Sequence, residues 1–194
     1  MDIVRIAQDD SIYPAGLKTC LGQSAPAAIW ASGNLELLAT KRKLAIFCSR
    51  KCPGNVIVKT YEYVRSLRDK DISAVGGFHS PVEQECLRLL LRGPSPVIVC
   101  PARSIQRMRP RPEWKAPLKT GRMLIVSPFE DGQDRMTSKL AEQRNVFVMA
   151  LADTGFFPYA SPSGKTEGLC RRAVALGVKI LTLDCADNQH RDIR

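Results

Sequence analysis

The sequence predicts a doubly wound α/β fold, in which helices cover both faces of a mostly parallel sheet. Short, nearly continuous apolar runs alternate with amphipathic stretches over residues 43–183. Strands that are apolar throughout are typical of parallel sheets buried on both faces. The chain has 194 residues, a length that suits one domain of this kind.

The individual elements follow from apolar periodicity and from local start and stop signals. Six strands are predicted, at residues 43–48, 72–76, 96–100, 123–126, 155–159 and 178–183. Helices are predicted at residues 56–67, 81–91, 138–152 and 164–176. Pro81 suits a first helical turn, where its missing N–H has no partner, and Ser80 is the expected N-cap. Thr137 or Ser138, and then Ser163, are the expected caps of the last two helices.

The first 40 residues precede this alternation. They contain a short helix near Leu17 and an apolar stretch at 27–31. We predict that residues 1–40 form an N-terminal extension that packs on the core or adds an edge strand. The core domain is predicted to span residues 41–187, and residues 188–194 are a C-terminal tail.

The formal net charge of +10 favours a polyanionic partner, such as nucleic acid, a nucleotide or an anionic membrane surface. Much of it lies in a proline-rich connection at 101–122, whose basic residues are Arg103, Arg107, Arg109, Arg111, Lys115, Lys119 and Arg122. Trp114 lies among them. This segment either follows a phosphate backbone and stacks a base on Trp114, or is a solvated loop whose indole inserts into the core.

Cysteine usage and hydropathy indicate a cytoplasmic protein without membrane contact. The seven cysteines are an odd number, and several lie inside apolar runs, as expected of free, buried thiols in a reducing compartment. No apolar run approaches the roughly 18 residues of a membrane span, and the N-terminus lacks a signal-peptide pattern. Cys48 and Cys52 have no second close cysteine pair, so no metal site is predicted.

Three loops at predicted strand ends carry groups suited to binding phosphate. Each opens a helix, and amides at a helix N-terminus favour anions. Their notable residues are Ser49, Arg50 and Lys51 in the first, Gly76 and Gly77 in the second, and Ser163, Gly164, Lys165 and Thr166 in the third. Because parallel strands end at one edge of a sheet, we expect a single phosphate-binding cleft there.

Two common nucleotide-binding motifs are absent. Gly164, Lys165 and Thr166 resemble the end of a Walker A loop, but the position that requires its first glycine is Tyr159. A G-x-G-x-x-G fingerprint is also missing, so no dinucleotide cofactor is predicted.

A series of short motifs, in a fixed order, resembles the DprA/Smf family of DNA-processing proteins. The matching residues are Tyr13, Pro14, Leu17, Ala25, Pro26, Gly33, Asn34, Ser49, Arg50, Gly76, Gly77, Arg144, Asn145, Ser163 and Gly164. The resemblance covers about residues 10–184 and implies a Rossmann-like domain, related to that of the LOG phosphoribohydrolases. Cys48 and Val146 depart from the family pattern, as do residues 81–83. No winged-helix domain follows residue 194, so we expect a shortened, divergent branch.

This resemblance implies binding of single-stranded DNA, without catalysis. It also implies a recombination mediator in DNA processing or uptake, a homodimer and a RecA-type recombinase as partner. The residues expected to contact phosphates or bases are Ser49, Arg50, Lys51, Gly76, Gly77, Arg103, Arg144, Asn145, Ser163, Gly164, Lys165 and Thr166.

The alternative is a LOG-like nucleotide-binding protein, either a nucleoside-monophosphate phosphoribohydrolase or a nucleotide sensor. Glu167 would then be the catalytic carboxylate, because a carboxylate stabilises an oxocarbenium-like ribose or activates water. Equally, Glu167 is placed where the helix dipole favours an acidic residue.

Overall fold

An eight-stranded sheet forms the centre of the computed structural model, which describes residues 2–183. The strands are β1 (Val4–Ala7), β2 (Ala28–Gly33), β3 (Lys43–Ile46), β4 (Ser73–Gly76), β5 (Val97–Val99), β6 (Met123–Ser127), β7 (Thr154–Phe156) and β8 (Lys179–Leu181). Their order across the sheet is β1-β2-β6-β5-β4-β3-β7-β8. β2 runs antiparallel to both neighbours, β1 and β6, and the remaining pairs are parallel.

Helices cover both faces of this sheet. They are α1 (Ala15–Leu21), α2 (Gly54–Ser66), α3 (Pro81–Leu91), α4 (Lys115–Lys119), α5 (Ser138–Leu151) and α6 (Lys165–Ala175). One core cluster joins the sheet to Leu17, Phe147 and Cys170, on α1, α5 and α6. A second joins it to Val64 and Leu87, on α2 and α3. The doubly wound, Rossmann-like fold predicted from the sequence is therefore confirmed.

The predicted strands of the core correspond to β3–β8, and the helix predicted at 81–91 is α3. The strand predicted at 155–159 ends earlier, at Phe156. Pro158 follows two residues later and has no N–H to donate to a neighbouring strand, which limits pairing there.

The prediction that Ser163 caps α6 is wrong. Ser163 has a positive φ of 56°, and the N-cap is Gly164, which makes no side-chain capping bond. Glu167 stabilises this helix start instead, because its Oε2 accepts a hydrogen bond from the backbone N–H of Ser163 at 2.7 Å. The Glu167 carboxylate thus provides a hydrogen-bond acceptor for a backbone N–H group at the start of α6.

The N-terminal segment extends the sheet. β1 pairs with β2, and β2 pairs with β6, so two strands are added at the edge formed by β6. The domain boundary at residue 40 stays a prediction, and the tail predicted at 188–194 lies outside the described residues. Within residues 2–183, none of the helices has the length and apolar character needed to cross a membrane.

The order of the core strands places a switch point between β3 and β7. From β3 the chain proceeds through β4 and β5 to β6 on one side, and β7 and β8 lie on the other side. All six strands are parallel, so the loops that follow them meet at one edge of the sheet. Ligands of open α/β sheets bind outside this carboxyl edge.

Candidate functional site

An arginine-lined cleft of about 500 Å³ opens beyond the carboxyl ends of β4 and β5. We call it the arginine cleft, after its five arginines: Arg103, Arg109, Arg111, Arg135 and Arg144. They come from the proline-rich connection, the β6–α5 loop and α5 itself. Apolar side chains, among them Leu87, Met108 and Met136, form the remaining walls. The cleft therefore combines strong positive charge with surfaces on which an unstacked base can lie.

Arg144 lies at the floor of the cleft and is buried. Its Nη1 donates a hydrogen bond to the carbonyl oxygen of Cys100 at 2.9 Å, and its Nε donates to Oδ1 of Asn145 at 2.8 Å. Nη2 donates no hydrogen bond within residues 2–183. Burial lowers the pKa of the Arg144 guanidinium, and the Glu83 carboxylate acts in the opposite direction. An arginine nevertheless stays protonated in proteins, so the floor of the cleft carries a fixed cation.

Gly77 makes this position of Arg144 possible. A Cβ added to Gly77 would lie 1.1 Å from Nη1 and 1.8 Å from Cζ of Arg144, far inside any allowed contact. The φ of Gly77 is not positive, so the glycine is required for space and not for backbone conformation. The guanidinium therefore packs directly on the backbone that follows β4.

The buried carboxylate of Glu83 ties two strand ends together beneath the cleft. Its Oε1 accepts from the N–H of Cys48 at 2.9 Å, after β3. Its Oε2 accepts from the N–H groups of His79 at 2.9 Å and Ser80 at 3.3 Å, after β4. The N–H of Glu83 in turn donates to Oγ of Ser80, which completes a capping box at the start of α3. This one residue thereby fixes the loops after β3 and β4 relative to each other.

The proline-rich connection contributes Arg103, Arg109 and Arg111 to the cleft but buries its tryptophan. Trp114 is buried in the core cluster that also contains Phe78 and Leu87. The Arg111 guanidinium lies 5.3 Å from the centre of the indole ring, within the range of a cation–π contact. Of the two interpretations of this segment, the structure supports insertion of the indole into the core, and Trp114 is not exposed for base stacking.

The loops at the switch point are hydrogen-bonded to each other. The N–H of Ser49 donates to the carbonyl of Tyr159 at 3.0 Å, and the N–H of Ser161 donates to Oγ of Ser49 at 2.8 Å. Oγ of Ser161 reaches the carbonyl of Lys51 at 3.4 Å. These bonds link the loops that follow β3 and β7, at the switch point where a nucleotide binds in many doubly wound proteins.

Lys165 and Glu167, at the start of α6, are also engaged within the protein. Nζ of Lys165 lies 2.6 Å from Oε1 of Glu142 and within hydrogen-bond distance of Ser138, both on α5. Lys165 lowers the pKa of Glu142 by this hydrogen bond and by charge attraction. Besides the Ser163 bond described above, Glu167 pairs with Arg171 at 3.4 Å.

The predicted site residues therefore fall into two groups. Gly77, Arg103 and Arg144 line the arginine cleft, and Gly76 and Asn145 are next to them in sequence. The others belong to the loops after β3 and β7 or to the start of α6, and they do not line this cleft: Ser49, Arg50, Lys51, Ser163, Gly164, Lys165 and Thr166. The expected single cleft built from three loops stays a prediction, as do the ligand contacts assigned to these residues.

The residues assigned to the site from the sequence do not include Glu83, Asp134 or Arg135. For Glu83 a signal is available, because Ser80 and Glu83 have the spacing of a capping box. Asp134 and Arg135 precede the Thr137 cap of α5 and carry no comparable local signal. They reach the cleft only through the path of the β6–α5 loop.

The described cysteines form no disulfide with one another, and three of them are buried near the site. Burial raises the pKa of Cys48 far above its usual value, and neighbouring Cys52 adds to this. Burial also raises the pKa values of Cys86 and Cys100 to about 12. Within residues 2–183, no three His, Cys, Asp or Glu side chains are arranged to hold a metal ion.

These thiols predict a loss of stability in alkali. Above about pH 8.5 the unfolded chain releases thiol protons that the folded chain retains, so the free energy of unfolding falls as pH rises. Each buried thiol contributes about 1.4 kcal/mol per pH unit. Urea titrations at about pH 8 and pH 10 should show a smaller pH-dependent loss in Cys86→Ala and Cys100→Ala than in wild type. Cys20→Ser, at a half-buried site, is the control. An equal loss in all four proteins would contradict this explanation.

The fold and the site define a class: a Rossmann-like α/β protein with an arginine-lined cleft at the carboxyl edge of its sheet. The chain belongs to the DNA recombination-mediator protein A family, whose model matches residues 4–191. The family expected from the sequence motifs is thereby confirmed.

Two solved structures share this fold. DNA processing protein A (DprA) from Streptococcus pneumoniae has 18% sequence identity and a TM-score of 0.78, over 96% of this chain and 64% of that one. DNA processing protein A from Helicobacter pylori, described by its single-stranded DNA binding mode, has 19% identity and a TM-score of 0.77. That match covers 98% of this chain and 86% of the other. No curated protein sequence matches the chain significantly.

Proposed function

We propose that this protein binds single-stranded DNA in the arginine cleft and acts as a recombination mediator in DNA processing. The observation that carries the proposal is the convergence of five arginines on one cleft. Three of them, Arg109, Arg111 and Arg135, are exposed and therefore accessible to phosphates. Membership of the recombination-mediator family and the binding described for the Helicobacter pylori protein support the same conclusion.

The walls of the cleft favour a single strand over a duplex. Met136, at the rim, is 48% exposed, and Met108 and Leu87 add apolar surface beside the arginines. Bases of a duplex are stacked and paired, and so they do not reach such surfaces. Unpaired bases do, and binding through phosphate contacts together with base contacts is typical of single-strand binding proteins.

One observation weighs against the nucleotide-enzyme alternative. Glu167, its candidate catalytic group, is engaged with Ser163 and Arg171. The carboxylate therefore has a structural role at the helix start.

Fluorescence anisotropy with an oligothymidylate of about 15 nucleotides tests the proposal. We expect binding that weakens with salt, with a slope of log affinity against log salt of about −2 to −3 for three or four phosphate contacts. Arg109→Ala and Arg135→Ala should each reduce affinity about fivefold and make the slope shallower by about 0.7. Arg65→Ala, at an exposed position of α2 outside the cleft, is the control and should bind as wild type does.

Three results would overturn the proposal. They are absence of binding at low salt, binding that does not respond to salt, and a loss in Arg65→Ala equal to that in the cleft variants. Release of free base from nucleoside monophosphates, abolished by Glu167→Ala, would establish the alternative instead.

Three further parts of the proposal rest on the family and on composition. A RecA-type recombinase partner and a homodimer follow from the resemblance to DprA/Smf proteins. A cytoplasmic location fits the absence of disulfides among the described cysteines, because thiols stay reduced in that compartment. Pull-down of a RecA-type protein and light scattering of the purified chain test the first two parts.

A further inference from the structure

The proline-rich connection crosses one face of the sheet between β5 and β6. These strands are parallel neighbours, so the chain returns from the carboxyl edge of the sheet, where β5 ends, to the amino edge, where β6 begins. A long helix usually makes such a crossover. Here a short 3₁₀ turn at Pro112–Trp114 and the five-residue helix α4 take its place. The basic side chains of the connection are therefore distributed along a path from one edge to the other.

Two cavities lie along this path. The first is the arginine cleft at the carboxyl edge, to which the connection contributes Arg109 and Arg111. The second has a volume of about 610 Å³, and we call it the lysine groove after Lys115 and Lys119, two exposed residues of α4 that line it. Gly33, the last residue of antiparallel β2, also lines it. The lysine groove therefore lies at the amino edge.

A single stretch of chain separates the arginine cleft from the lysine groove. Pro110 lines the groove, whereas its neighbours Arg109 and Arg111 line the cleft. The same alternation recurs at Trp114, which lines the cleft, and Lys115, which lines the groove. Neighbouring side chains of extended backbone point in different directions, and Arg111 has extended dihedral angles. The two cavities thus share a wall that is one backbone thick.

The far wall of the lysine groove is fixed by Asn34. Its Nδ2 donates a hydrogen bond to the carbonyl of Gly121 at 2.8 Å, and its N–H donates to the carbonyl of Met123 at 3.2 Å. These bonds hold the end of β2 against the start of β6. Val4, which is 42% exposed, and Leu118 add apolar surface. The groove therefore offers cations beside apolar surface, the combination that binds single strands.

We propose that the DNA strand bound in the arginine cleft continues over Pro110 into the lysine groove, where Lys115 and Lys119 contact its phosphates. This inference rests on the proposed function and extends the binding surface from the carboxyl edge of the sheet to its amino edge. The prolines of the connection fix its backbone, which reduces the entropy lost when a ligand orders this segment.

Acidic residues do not cancel the charge along this path. Asp2 is the one acidic residue that lines the lysine groove within the described range 2–183, and it offsets one of the two lysine charges. Glu113 lines neither cavity and forms an exposed pair with Arg111 at 3.9 Å. Such pairs are weak, so phosphate competes with Glu113 for this arginine.

Titrations with two strand lengths test the inference. The probes are oligothymidylates of about 5 and about 15 nucleotides, and the affinity of the short strand is measured by displacement of the labelled long strand. In wild type the two lysines should add about −1.4 to the salt slope that the arginine cleft alone gives the long strand. The double variant Lys115→Ala, Lys119→Ala should lose this increment and bind the long strand about tenfold more weakly. Its affinity for the short strand should be nearly unchanged, because the arginine cleft holds that strand.

A matched control removes two other lysines. Lys41 and Lys70 are exposed and line neither cavity, so the double variant Lys41→Ala, Lys70→Ala has the same net charge as the lysine-groove variant. It should bind both lengths as wild type does. Arg109→Ala should weaken binding of both lengths, because Arg109 lines the cleft.

Each other outcome has a defined meaning. Unchanged affinity for the long strand in the lysine-groove variant overturns the extended path and leaves the proposed function intact. A loss of the same size for both lengths, or in the Lys41 and Lys70 control, indicates a general effect of charge and also overturns the path. Failure of wild type to bind either strand at low salt overturns the proposed function, and the inference with it.

Discussion

Replacing Glu83 with alanine is expected to lower the free energy of unfolding by about 4 kcal/mol, a large part of the total stability of a domain of this size. The carboxylate accepts from three backbone N–H groups, those of Cys48, His79 and Ser80. Alanine leaves all three without this partner. It also removes a negative charge that stabilises the buried guanidinium of Arg144. Urea denaturation followed by circular dichroism measures the loss.

Two further variants show whether this interpretation is correct. Glu83→Gln keeps the shape but turns one oxygen into an amide donor facing a backbone donor, so its loss should be intermediate. Glu85→Ala removes a partly exposed carboxylate of the same helix, paired with exposed Arg88, and should change stability by less than about 0.5 kcal/mol. A loss of stability in Glu85→Ala as large as that in Glu83→Ala would mean that removing any carboxylate from α3 destabilises the protein, and that the three hydrogen bonds of Glu83 are not the cause.

Local signals were sufficient to predict most of the fold. α3 has a proline at its first turn, a serine cap and an amphipathic pattern, and its predicted bounds agree with Pro81–Leu91. α6 was predicted with the wrong cap because Ser163 has the right residue type at the right place. The choice between Ser163 and Glu167 as the group that stabilises the helix start depends on the positive φ of Ser163, which sequence periodicity does not encode.

The site was less predictable than the fold, because its parts come from distant segments. Gly77 and Arg144 could each be identified from family motifs, but their contact depends on how α5 crosses the end of β4. Basic residues of the 101–122 connection were evident from charge alone. Which of them line the cleft, and that Trp114 is buried in the core cluster beside the cleft wall, depend on packing. Lys165 looked available for phosphate, whereas the structure pairs it with Glu142.

Gly77→Ala is expected to reproduce the effects of removing the Arg144 guanidinium. The added methyl group occupies the position of Nη1 and Cζ, so the buried side chain must leave and its bond to the Cys100 carbonyl is lost. We expect the free energy of unfolding to fall by about 3 kcal/mol. Affinity for oligothymidylate should fall about tenfold at low salt, because the cation at the floor of the cleft is displaced. Gly54→Ala, where no atom lies within 4 Å of the new Cβ, should leave both quantities nearly unchanged.

A double-mutant cycle distinguishes this steric mechanism from a general effect of the substitution. If the methyl group acts by displacing the guanidinium, it finds empty space in the Arg144→Ala background. Gly77→Ala should then change stability by less than about 0.5 kcal/mol there, and the two single losses should be strongly non-additive. Additive losses would show that Gly77 acts independently of Arg144, for instance through the backbone that follows β4. Loss of stability without loss of affinity in Gly77→Ala would place the DNA contact on the exposed arginines of the cleft, since only the buried cation would have moved.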